Sequence, residues 1–104
     1  MRARTFDTLQ LIAPAQNGSL WQLASSHSFN ELMKPAYWLR HLEFGLESGD
    51  RVMCTANLNG NFEAGDFIIL DVIRRGKESR VDVALLVRHK IERLENAETE
   101  TEAA

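Results

Sequence analysis

The residues able to do acid–base, nucleophilic or metal chemistry are few in this chain, and they stand apart. Histidines occur only at positions 27, 41 and 89, and Cys54 is the single cysteine. No His-x-x-x-His or Cys-x-x-Cys pair is present, the spacings by which one helix face or one turn offers two ligands to a metal ion. A metal site would have to be assembled in three dimensions from His41, His89 and Cys54, and no spacing asks for it. Ser25, Ser26 and Ser28 surround His27, but without the strand–Gly-x-Ser-x-Gly–helix setting that exposes an activated serine. They read as a polar connection. Asp66 and Asp71 have the chemistry of a carboxylate pair, yet their setting gives Asp66 a turn and Asp71 a sheet surface. Gly45, Gly49, Gly60 and Gly65 never gather into a phosphate-cradling loop. The sequence therefore predicts no catalytic residue, no metal, no cofactor and no small-molecule substrate.

Two further groups bear on binding rather than chemistry. Arg74, Arg75 and Lys77 form the one compact basic group; with Tyr37, Trp38 or Phe62 they have the makings of a phosphate-plus-stacking surface. Glu78 and Asp82 follow at once and oppose a polyanion. The aromatic residues Trp21, Tyr37 and Trp38 bring large contact area with few torsions to freeze, which suits a core anchor or an interface.

The elements that must position these residues fall into three regions. In the first, Thr5-Phe-Asp-Thr-Leu-Gln-Leu-Ile12 has strand character and is stopped by Pro14 and the Asn17-Gly18 turn signal. Ser19-Leu-Trp-Gln-Leu-Ala24 is either a second short strand or a docking segment. Asn30 is a possible helix cap, and Pro35 fits the first position of a short helical turn over residues 35–41. In the second region, Leu46-Glu-Ser-Gly-Asp-Arg-Val52 feeds an alternating strand with Val52, Cys54, Ala56 and Leu58 on one parity. Asn59-Gly60 signals a hairpin and Ala64-Gly65-Asp66 a bend. Phe67-Ile-Ile-Leu-Asp-Val-Ile73 is rich in β-formers on both parities, Arg74-Arg-Gly-Lys-Glu78 is a polar connection, and Val81, Val83, Leu85 and Val87 mark a last half-buried strand.

That pattern predicts an all-β fold, a small SH3-like or related antiparallel barrel with an N-terminal arm and a short helical turn. Phe67, Ile69 and Ile73, together with Ala84 and Leu86, then form a second apolar sheet face, covered by the chain's own N-terminal half or by another subunit. At 104 residues there is room for one compact domain, here residues 1–94. Residues 95–104 carry four glutamates and no basic residue, and read as an acidic flexible tail. Without that tail the body balances 12 Lys and Arg against 11 Asp and Glu, which argues against nucleic acid as a partner. One cysteine excludes an intramolecular disulfide. No apolar run approaches the ~20 residues that span a bilayer, and the start lacks a signal-peptide core.

Lys34-Pro-Ala-Tyr-Trp-Leu-Arg40, the Leu-x-x-Gly-Asp-x-Val entry at Leu46, residues 62–73 and Val81-Asp-Val-Ala-Leu-Leu-Val-Arg88 together resemble small β-barrel structural proteins of tailed bacteriophages, across residues 34–90. The resemblance implies a non-catalytic subunit of a homomeric assembly, a capsid or head–tail component, located in the virion or in host cytoplasm before assembly. Its partners would be itself and other particle proteins, through Trp21, Tyr37, Trp38, Phe67, Ile69, Ile73 and Leu86. The alternatives are a nucleic-acid-binding barrel using Arg74, Arg75 and Lys77, or an adaptor that takes a peptide along a sheet edge.

Overall fold

The computed structural model describes residues 6–16 and 18–94. The acidic tail and the Asn17 half of the first turn signal lie outside the described residues. Strands β1 (Asp7–Ala13) and β2 (Leu20–Ser25) come first. Two single-turn helices follow, α1 (Phe29–Leu32) and α2 (Pro35–Trp38), the second running on into a 3₁₀ stretch (Leu39–Phe44). Strands β3 (Arg51–Ala56), β4 (Glu63–Ile73) and β5 (Arg80–His89) complete the chain. They form one five-stranded sheet in the order β1-β2-β3-β4-β5, antiparallel except for the parallel pair β2–β3.

This is a mixed α/β domain with an open sheet, which corrects the expected all-β barrel. A barrel must pair its first strand with its last; here β1 and β5 stand at opposite edges with three strands between them. The expected N-terminal arm is corrected as well, since β1 and β2 are integral strands. The reason lies in the connection from β2 to β3. Parallel neighbours need a crossover over one face of the sheet, and residues 26–50 supply it as the helical layer.

Local chemistry explains where that layer starts and stops. Ser28, not Asn30, caps α1, its Oγ accepting from the Glu31 N–H at 3.3 Å. Pro35 opens α2, where its missing N–H costs nothing. The layer is pinned by Trp38, whose indole N–H donates to the Leu32 carbonyl at 2.8 Å and whose ring lies 5.3 Å from Phe67. Phe29 stacks on Phe67 at 5.4 Å, directly over Gly65. A Cβ at Gly65 would sit 2.4 Å from the Phe29 ring, so only glycine lets the helix approach the sheet there.

Trp21, Leu23, Val52, Cys54, Ala56, Phe67, Ile69 and Val81 point into this covered side, joined by Phe29, Leu32, Tyr37, Trp38 and Leu46 from above. Each large side chain so buried contributes about 1.5–3 kcal/mol. Two extra residues disturb the ladder: Leu70 on β4, between the Ile69–Val83 and Asp71–Asp82 pairs, and Leu86 on β5, between the Phe67–Leu85 and Asp66–Val87 pairs. Each such bulge shifts the alternation of faces downstream.

Candidate functional site

Three places gather chemistry-bearing side chains. The first is a polar network where the start of β1, the end of β2 and the helical layer meet. One Asp7 carboxylate oxygen accepts from the Ser25 hydroxyl and from the Tyr37 hydroxyl, the latter at 2.6 Å. The other oxygen faces Arg40 at 3.3 Å and His27 at 3.6 Å. Since the Tyr37 proton goes to Asp7, the phenolic oxygen accepts from His41 Nε2 at 3.2 Å. Arg40 also lies over the Tyr37 ring, 4.6 Å from its centre, and donates to His27 Nε2 at 3.1 Å.

The electrostatics follow from burial. Burial alone would raise the Asp7 carboxyl, but the bonds from Ser25 and Tyr37 and the neighbouring His27 and Arg40 hold it below the usual range. Burial and the bond to Asp7 push the Tyr37 phenol well up, and burial pushes the His41 imidazole down. Ser25 is fully buried with its proton committed to a carboxylate, so its oxygen is not presented as a nucleophile. The network fastens α2 and the 3₁₀ stretch to the β1–β2 end of the sheet. His41 Nδ1 is the one buried side-chain atom without a hydrogen-bond partner among the described residues.

Sequence reading missed this network because Asp7, Ser25 and Tyr37 are separated by 18 and 12 positions. No spacing rule joins them. The other titratable groups stay apart. Cys54 lies in the core, where burial and then the Asp66 charge push its thiol well up, while His89 pairs with Asp66 at 3.2 Å. Asp66 and Asp71 form no pair: Asp66 faces His89, and Asp71 stands opposite Asp82. No three or more His, Cys, Asp and Glu side chains are grouped to hold a metal among the described residues.

The second place is the basic group of the β4–β5 connection. Arg74 is committed to the fold: it donates to the Leu46 carbonyl at 2.6 Å, the Leu42 carbonyl at 3.2 Å and Glu47 at 3.1 Å. It caps the end of the 3₁₀ stretch. Arg75 and Lys77 remain exposed at the tip, beside Glu78.

The third place is the uncovered side of the sheet. Asp66, Ile68, Asp82 and Ala84 face away from the helices, as do Gln22, Met53 and Val87 through their ladder partners. Met53 is 40% exposed, Val87 42%, Leu86 48% and Leu70 56%. Such a run of apolar side chains on β3–β5, rimmed by Gln10, Gln22, Arg51 and the aspartates, has the make-up of a contact surface.

The seven interface candidates distribute unevenly against this surface. Trp21, Tyr37, Trp38, Phe67 and Ile69 are buried in the monomer's own core. Trp21 is held there by a 2.9 Å bond from its indole N–H to the buried Asp50 carboxylate, which also accepts from the Ser19 and Glu47 amides. Ile73 is half-buried, and Leu86 alone of the seven is exposed. The two parities of β4 separate only as far as Ile69: the core takes Phe67 and Ile69 and leaves Ile68 outside, and beyond the Leu70 bulge Val72 packs on the core while Asp71 faces away.

Comparison with protein-family models, curated proteins and solved structures returned no match. The resemblance to phage β-barrel components is thereby corrected. Its closed barrel is absent, and its short Gly-Asp motif serves a different purpose. Gly49, at φ +91°, donates its amide to the Ile69 carbonyl at 2.7 Å, and Asp50 braces the parallel starts of β2 and β3. No helix among the described residues is long and apolar enough to cross a membrane.

Proposed function

We propose that this domain is a non-catalytic, self-associating building block that works through the uncovered side of its sheet. The observation that supports this is the asymmetry between the two sides. One side is sealed by the helical layer, and the other leaves Met53, Leu70, Leu86 and Val87 between 40% and 56% exposed. Burying side chains of this kind against a partner contributes roughly 25 cal/mol per Å² before the costs of association are subtracted. The polar network of Asp7, Ser25, Tyr37 and His41 supports the same reading, because its members serve each other and the joint between layers. The nucleic-acid alternative is weakened by Arg74, whose guanidinium is spent on Leu42, Leu46 and Glu47.

Light scattering of the purified chain across a concentration series tests the proposal. The expected result is a defined mass at a small multiple of 11.8 kDa. A mass of one chain at every concentration would refute it.

A further inference from the structure

The basic side chains of this molecule divide into two groups. Lys34, Arg40, Arg74, Arg88 and Lys90 each form an ion pair within the chain. Arg51, Arg75, Lys77, Arg80 and Arg93 form none among the described residues. Three of these unpaired cations meet at one place. Arg75, Lys77 and Arg80 line an open cavity of about 440 Å³ at the connection between β4 and β5, together with Ile73, Glu78 and Ser79. Three cations therefore stand against one carboxylate there, in a chain whose net charge is −3. Like charges gathered on a short turn repel one another, and an anion between them removes that repulsion.

Cations on a loose hairpin tip lose binding energy to the ordering of the tip, but this turn is braced. Arg74 ties its start to the Leu42 and Leu46 carbonyls. Within it the Glu78 amide donates to the Arg75 carbonyl at 3.0 Å and the Ser79 amide to the Gly76 carbonyl at 3.2 Å. Gly76, at φ +57°, supplies the left-handed step. The Ser79 Oγ accepts from the Arg75 amide at 3.0 Å, a bond that uses a lone pair and leaves the hydroxyl proton to donate to a ligand.

The surroundings set the chemistry and the size of that ligand. Two guanidinium forks match the oxygens of a phosphate, Lys77 adds a compact charge and Ser79 a neutral donor. Ile73 alone among the lining side chains is apolar, so hydrophobic contact contributes little. Beyond the Ile73–Arg80 pair the sheet turns acidic, with Asp71 opposite Asp82. Across Lys77 and Ser79 lies a second groove of about 460 Å³ that adds Glu43, and its Arg40 is already engaged with Asp7. Carboxylates so placed oppose an extended polyanion and admit a compact one.

We propose that Arg75, Lys77, Ser79 and Arg80 form a binding site for a small soluble molecule, held through its terminal phosphate group. The site is complete in one chain and stands or falls separately from self-association. Amide NMR shifts of the full chain, titrated with inorganic phosphate in a chloride buffer, test it. Saturable shifts centred on residues 73–80 are expected, with binding roughly three- to ten-fold weaker in each of Arg75→Gln, Lys77→Gln and Arg80→Gln. Arg93→Gln removes an unpaired cation elsewhere and should leave binding unchanged. All four side chains are exposed, and an unchanged urea midpoint verifies that each variant is folded. Equal weakening by Arg93→Gln, shifts spread over the whole surface, or an equal response to acetate would overturn the site. Tighter binding of a single-stranded oligonucleotide at the same residues would overturn the compact ligand in favour of a polyanion. Binding to vesicles of phosphatidic acid in phosphatidylcholine, with no response to free phosphate, would overturn the soluble ligand in favour of a lipid headgroup.

Discussion

Both sides of this one sheet carry apolar residues, and the two meet different fates. On the helical side, Phe67 and Ile69 are sealed by Phe29 and Trp38, and the adjoining polar groups are paired: Trp21 with Asp50, Tyr37 with Asp7. On the other, Met53, Leu70, Leu86 and Val87 stay exposed among unpaired-sign neighbours such as Asp71 and Asp82. The contrast teaches that apolar content alone does not define a core. A side becomes core where a crossover is obliged to lie over it, and the parallel β2–β3 pair obliges this one.

The sharpest way to break that contrast is to truncate one residue on each side. Trp38→Ala removes a fully buried indole and its bond to Leu32, and should cost about 3–5 kcal/mol in urea unfolding. Met53→Ala on the open side should change stability by less than about 1 kcal/mol at low protein concentration. Comparable losses would erase the distinction. Asp50→Ala comes next. It strands the buried Trp21 indole N–H and two part-buried backbone amides, an expected loss of about 1–3 kcal/mol by the same measurement.

The helical side should also respond to acid. Burial pushes His41 down, toward its neutral form, with Asp7, Arg40 and His27 as the polar groups around it. Its unfolded form takes up a proton near pH 6.5, so its contribution is complete above that pH and is lost as pH falls below it. The slope cannot exceed about 1.4 kcal/mol per pH unit for one group. His41→Gln should flatten the stability–pH curve between pH 6.5 and 5. Asp7, whose carboxyl is held low, adds a further loss only below its ordinary pKa of 3.8. An unaltered curve in His41→Gln would place the acid response elsewhere. The smallest stability effect belongs to the open side: Leu86→Lys with Val87→Lys should leave the dilute protein's melting nearly unchanged, within about 0.5 kcal/mol, while reducing the oligomer to one chain.

Much of the chain's local order was legible in the sequence. The strand at Thr5–Ile12, the segment at Leu20, the Pro35 helical turn and the three later strands all lie close to their observed positions. What escaped was decided by distance in sequence. The parallel contact of β2 with β3 spans the whole helical layer, and the single-turn helices within it are too short to show a 3.6-residue period. In β4 both parities are apolar, so alternation separates the faces without saying which one a helix will cover. The bulge residues Leu70 and Leu86 then reverse parity partway along, invisibly to a simple alternation count. In the Asp7–Ser25–Tyr37–His41 network only Tyr37 and His41, four residues apart, have a helical spacing; Asp7 and Ser25 join them from separate strands, with no sequence signal.

Backbone hydrogen exchange, measured at dilute and at high protein concentration, tests the claim of assembly through this side most directly. The account predicts slowing in the strands that carry the exposed apolar residues, Arg51–Ala56, Glu63–Ile73 and Arg80–His89, with the edge Asp7–Ala13 unchanged. Slowing confined to β1, or exchange independent of concentration in every strand, would contradict it.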